Sequence, residues 1–106
     1  MKNKIEITWS ENAKNRLDNI YDYISQDSKT QAAKVVSKII NSTKNLIVFP
    51  EGFPKEPLLE NLGNYRFYPV YRYKIIYRIV ENQITITDIF HTSQNPEKLP
   101  EIDEVV

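Results

Sequence analysis

Arg66, Arg72, Lys74 and Arg78 are gathered in one short stretch, and no acidic residue stands between Glu60 and Glu81. Tyr65, Phe67, Tyr68, Tyr71, Tyr73 and Tyr77 are interleaved with them, and the chain's one histidine, His91, follows. Guanidinium groups pair bidentately with phosphate or carboxylate, and aromatic rings stack on planar groups. A segment of this kind therefore suits a polyanion or an acidic protein surface. The plainer reading stands beside it: tyrosine is a good strand former, and Arg or Lys on a sheet is often only its solvated face. His91 is the one side chain whose unperturbed pKa lies near neutrality, so it is the candidate for proton transfer. Asp88 is placed to orient it or to pair with a neighbouring arginine.

Composition narrows the classes further. With no cysteine and one histidine, neither disulfides nor thiolate or multi-histidine metal centres are available, and no metal or cofactor is expected. At 106 residues the chain is read as one domain, 1–106, with room for one modest core. The 14 basic and 14 acidic side chains cancel, but unevenly. Residues 97–106 hold Glu97, Glu101, Asp103 and Glu104 against Lys98, a net of −3, so residues 1–96 carry +3. This is a basic body with a short acidic C-terminal tail, and its overall neutrality argues against an indiscriminate nucleic-acid binder. No apolar run approaches the ~20 residues that span a bilayer, and the first residues are polar, so a cytoplasmic protein is expected.

The elements that must carry these residues follow from periodicity. Residues 4–9 alternate, with Ile5, Ile7 and Trp9 on one side, as in a half-buried strand. Ser10 is an N-cap with Glu11 in the first turn, and Ala13, Leu17, Ile20 and Ile24 make one apolar helical stripe ending near Gln26. Ser28 and Gln31 have the form of a capping box. The helix they open is expected to bury Ala32, Val36, Ile39, Ile40, Thr43, Leu46 and Ile47 and to stop before Phe49-Pro50. Residues 50–63, rich in Pro, form the one long loop, and its Phe53, Leu58, Leu59 and Leu62 hold it against the body. Three strands close the pattern at 65–70, 73–80 and 84–90. In the middle strand Tyr73, Ile75, Tyr77 and Ile79 face the helices, which leaves Lys74 and Arg78 on the open face. Pro69 belongs at an edge, a bulge or a strand end.

The order of these elements, with Y-K-I-I-Y-R-I at 73–79 and I-F-H-T-S-Q-N-P-E-K-L at 89–99, resembles the RelE/ParE superfamily of toxins from bacterial type II toxin–antitoxin systems. The resemblance covers nearly the whole chain and favours the ParE-like branch. It implies an α+β fold with an N-terminal strand, a helical hairpin and a three-stranded antiparallel sheet packed on the helices. It also implies a cognate antitoxin as partner and one of two actions, poisoning of DNA gyrase or ribosome-dependent cleavage of mRNA. Metal-free RNA cleavage needs a base for the 2′-hydroxyl, cations for the phosphorane and an acid for the leaving oxygen. The lysines that serve RelE-like ribonucleases on the second strand fall here on Phe67 and Pro69, and the third-strand arginine falls on Lys74. The later arginine and tyrosine fall near Ser93 and Leu99. Other superfamily ribonucleases use a histidine near the end of the fourth strand, the place of His91, which Lys74, Arg66 and Arg72 would surround.

The expectation is therefore a growth-inhibiting toxin that binds its target without chemistry. Arg66, Arg72, Lys74, Arg78, Tyr71, His91 and the 91–96 loop are its contact candidates. Catalysis by His91 with Lys74 is the alternative, and a toxin fold that has lost toxicity is a third.

Overall fold

The structure, a computed structural model, describes residues 4–92. The acidic tail, Ser93, Leu99 and most of the 91–96 loop lie outside the described residues.

Strand β1 (Glu6–Trp9) leads into α1 (Glu11–Ser25) through Ser10. The Ser10 hydroxyl accepts from the Ala13 N–H at 3.0 Å and donates to the Thr87 carbonyl at 3.2 Å, so one residue caps the helix and ties it to a strand 77 positions away. Ser28 likewise accepts from the Gln31 N–H at the start of α2 (Lys29–Ser42). This helix stops six residues short of the expected end. The Ser42 and Thr43 hydroxyls donate to the Ile39 and Ile40 carbonyls, and the backbone tightens to i→i+3 bonds at Thr43 and Lys44 before the single turn of α3 (Asn45–Val48). The buried stripe runs on through the break at spacings of three and four, but it is narrower than the sequence suggested. Ala32, Val35, Ile39, Thr43 and Leu46 are buried, Val36 is half-buried, and Ile40 and Ile47 are exposed.

Strands β2 (Tyr65–Val70), β3 (Tyr73–Val80) and β4 (Gln83–His91) form the expected antiparallel meander. The N-terminal strand joins them, pairing in parallel with β4, so the sheet is four-stranded and mixed, in the order β1-β4-β3-β2. The fold class is α+β, as the sequence implied. Both hairpins turn on two residues, and each sets a non-glycine residue in the left-handed region, Tyr71 at φ 56° and Glu81 at φ 55°.

One irregularity decides where β4 points. Ile76 pairs with Asp88 and Tyr77 with Ile86, which leaves Thr87 as an extra, bulged residue. Its carbonyl, freed from the ladder, accepts from Ser10 Oγ and from Asn12 Nδ2. The bulge also turns the buried Asp88 toward α1, where Arg16 Nε lies 2.9 Å from its carboxylate.

Both faces of the sheet are covered over part of their area. On the helix side Tyr68, Val70, Ile75, Tyr77, Ile84, Ile86 and Ile89 pack with Ala13, Val35, Ile39 and Leu46. On the other side the segment 50–63, read from sequence as a loop, contains a 3₁₀ helix (Pro57–Leu62) that lays Leu59 over Ile76, Tyr65 and Phe90. Leu58 and Leu62 stay exposed. No helix among the described residues is long and apolar enough to cross a membrane.

The buried tyrosines give the fold a pH limit. Burial pushes the Tyr68 phenol up to about 12, against a smaller opposite pull from its hydrogen bond to Ser42. Burial also pushes the Tyr77 phenol up to about 12, although Arg66 draws it down, and its hydroxyl donates to the Pro50 carbonyl at 2.7 Å. Unfolded tyrosines ionise near pH 10, so these two contribute fully below pH 10, and their contribution is lost between pH 10 and 12. In urea unfolding, stability falls as the pH rises through that window. Tyr77→Phe removes one share of the slope, and an unchanged slope would refute the assignment.

Candidate functional site

The six candidate residues do not converge on one patch. The ladder puts Tyr73 opposite His91 and Lys74 opposite Phe90. Successive side chains on a strand face opposite ways. His91 therefore lies on the helix side, with its ring against Tyr73 at a centroid distance of 5.2 Å, while Lys74 lies on the other face. The structure does not bring His91 and Lys74 together as a catalytic pair. Arg66 and Arg78 stand five and six residues along β2 and β3 from the Tyr71-Arg72 turn, separations of roughly 16 and 20 Å at ~3.3 Å per residue.

Nor does Lys74 stand on an open face. Its ammonium is 2.9 Å from Oε1 of Glu56, whose side chain is only 1% exposed, and it lies 4.0 Å from the Phe67 ring centroid and 5.6 Å from that of Phe90. Glu56 Oε1 has no aligned hydrogen bond, so the lysine charge is its compensation, while Oε2 accepts from the Leu58 N–H and caps the 3₁₀ helix. The face thus carries Phe67, Pro69, Lys74 and Phe90, closed at its centre by Leu59. Arg66 is held in the same way. It donates to Asn64 Oδ1 and to the carbonyls of Glu51 and Phe53, which pins the start of the 50–63 segment.

The remaining cations are presented outward. Arg78 is exposed, with its guanidinium 6.0 Å from the Tyr65 ring. Tyr71 and Arg72 are both exposed at the tip of the β2–β3 hairpin, and the Arg72 carbonyl accepts from the Thr92 N–H, which brings the end of β4 beside that tip. Under it, between α1 and the strand ends, Arg16, Asn19, Ile20, Tyr23, Tyr73, Ile89, Phe90 and His91 line a pocket of ≈380 Å³. Burial raises the Tyr73 phenol pKa there, and Tyr23 adds to the shift. Tyr71, Arg72 and His91 are the sequence candidates that share this end of the sheet.

Two participants escaped sequence reading. Glu56 had a local signal, since an acidic residue before Pro57 and the Leu58-Leu59 run marks a helix cap. Arg16 had none, because its partner Asp88 is 72 residues away. Among the described residues no group of three His, Cys, Asp or Glu side chains is placed to hold a metal ion.

Comparison with known proteins adds a family. Residues 7–96 match the family described as ParE toxin of the type II toxin–antitoxin system parDE. Among solved structures, the "Chromosomal ParDE TA system from P. aeruginosa" superposes with a TM-score of 0.68 at 23% identity, covering 82% of this chain and 95% of that one. No curated protein sequence matches the chain.

Proposed function

Since the chain belongs to the ParE toxin family of type II toxin–antitoxin systems, we propose that it arrests growth by binding a macromolecular target, DNA gyrase before others, and that a cognate antitoxin neutralises it. Such a target places its action in the cytoplasm. Tyr71, Arg72 and Arg78 are the anchors, with His91 at the rim, because exposed aromatic and arginine residues on a rigid sheet supply binding energy without any tuned pKa.

The observation that carries a binding mode over a catalytic one is the state of the sheet face opposite the helices. Where the resemblance puts the cations of the ribonucleases, this chain has Phe67, Pro69 and a lysine engaged by Glu56. Among the described residues that face offers the 2′-hydroxyl of an RNA no accessible base, and the lysine charge is already compensated.

The test is tightly induced expression in a bacterial host, with plasmid supercoiling and in vitro translation measured in parallel. Arrest with lost supercoiling and intact translation is the expected result. Arrest with ribosome-dependent mRNA cleavage would replace it with a ribonuclease reading centred on His91 and its pocket. Absence of arrest would assign the chain to the non-toxic partners of such systems.

A further inference from the structure

The pocket between α1 and the ends of β3 and β4 gathers polar groups that the fold itself leaves unused. Helix α1 brings Arg16, Asn19, Ile20 and Tyr23 to it, the i, i+3, i+4 and i+7 positions of one helix side, and the strands bring Tyr73, Ile89 and His91. Among the described residues, the side chains of Asn19, Tyr23 and Tyr73 make no hydrogen bond. Tyr73 is half-buried, so its phenol is partly withdrawn from water without a partner, and that burial is what raises its pKa. The ≈380 Å³ of the pocket is in the range of small-ligand sites.

The walls are flat. The Tyr73 and His91 rings meet at 89°, with centroids 5.2 Å apart, and form a corner of two aromatic planes. Arg16 is tied through Nε to the buried Asp88 at 2.9 Å, and Asp88 in turn accepts from the Ile89 N–H at 2.7 Å, so the plane of the guanidinium is fixed. Such a plane, like an aromatic ring, stacks on nucleobases. Ile20 and Ile89 supply the apolar part of the lining. With an arginine and no carboxylate among the described residues that line it, the pocket does not suit a cationic ligand.

We infer that this pocket binds the adenine ring of a free nucleoside or nucleotide, stacked on the Tyr23, Tyr73 and His91 rings with the Asn19 amide at its edge. A plain hydrocarbon ring would fill the same corner but would bury Asn19 and the phenols without partners. Adenine presents the N6 donor beside the N7 acceptor, which one carboxamide matches with its oxygen and its NH₂. Guanine presents two acceptors, N7 and O6, and would leave the amide oxygen without a donor. The sugar and any phosphate stay in water on the side where Asn19 and Tyr23 are exposed. Adenine binding needs no partner protein and stands whether or not the chain arrests growth.

The experiment titrates the full chain with AMP, adenosine and GMP and follows it by NMR. AMP and adenosine are expected to shift the Asn19 side-chain amide and the Ile20 and Ile89 methyl groups to saturation with similar affinity, and GMP to bind weaker by about tenfold or more. Tyr23→Ala, at a position 73% exposed, is expected to weaken AMP binding by about tenfold with Tm unchanged. Asn19→Ala is expected to remove the preference for AMP over GMP. Absence of saturable shifts at these residues would overturn the inference, as would parent-like binding and base preference in both variants. Equal binding of AMP, GMP and indole would give the pocket to any flat ring, and a response to a DNA or RNA oligonucleotide without one to AMP would give it to a strand. Either result also overturns the inference.

Discussion

Lys74→Ala is expected to destabilise the protein by about 3 kcal/mol, the lower end of the cost of leaving a buried charge without its partner. Glu56 is 1% exposed and Lys74 22%, so the carboxylate, more than the lysine, is the group stranded in a dry site. The truncation also removes the aliphatic stem and the ammonium from the Phe67 and Phe90 rings. A domain of this size has ~5–15 kcal/mol of stability in all, so the loss is large. Replacing both members, Lys74→Met with Glu56→Gln, is expected to bring stability back to within about 1 kcal/mol of the parent. Glutamine keeps an acceptor for the Leu58 N–H, and methionine keeps the contact with the rings. Urea unfolding of the two variants measures this directly. The double variant also separates the two roles of Lys74. If it is stable and still arrests growth, Lys74 is structural. If Lys74→Ala were as stable as the parent and inactive, Lys74 would be a target contact or a catalytic group.

The second large effect belongs to the hairpin tip. Tyr71→Gly and Arg72→Glu are each expected to abolish growth arrest, with target binding weakened at least tenfold, while His91→Ala retains arrest. Tyr71 holds a left-handed φ of 56° and is 58% exposed, so its side chain is presented outward at a backbone conformation that suits glycine better. Glycine there relieves the strain, and thermal unfolding is expected to show a variant as stable as the parent or more stable by up to about 1 kcal/mol. A gain in Tm together with a loss of arrest is not the pattern of a residue kept for folding. Glu81→Gly is the control: it makes the same backbone change at the other hairpin, at the far end of the sheet from Tyr71 and Arg72, and arrest should persist. Loss of arrest in His91→Ala, with Tyr71→Gly still active, would reverse the assignment and favour chemistry at the pocket.

Elements whose cause is local are legible from neighbouring residues. The cap at Ser10, the cap at Ser28, the alternation of β1 and β3 and the Pro-rich break after the helices all rest on residues within one turn or one strand of each other. The structure has each of them in place. The assignment of Tyr73, Ile75, Tyr77 and Ile79 to the helix side was legible for the same reason, since a strand's period of two fixes its faces once one face is known to be buried. Family-level order also survives without tertiary knowledge, because it is a sequence of such local signals.

The tertiary structure decided the features that depend on partners far apart in the chain. Nothing local shows that Lys74, on the nominally open face, is met by Glu56 or that Leu59 closes the face beside it. The count of basic residues gives the charges, but their availability depends on which of them the fold has already engaged. The bulge at Thr87 is invisible in the alternation of Ile84 and Ile86, yet it sends Asp88 to Arg16 rather than leaving it in the plain run of the strand. Helix α2 ended early as hydroxyls bonded back to carbonyls, and only one line of its wide apolar face, Ala32, Val35, Ile39, Thr43 and Leu46, meets the sheet, so Ile40 and Ile47 beside it stay exposed. Periodicity and caps are written in neighbouring residues. Which charge is spent on a carboxylate, and which polar groups meet in a pocket, is set by residues brought together only when the sheet closes over its two cores.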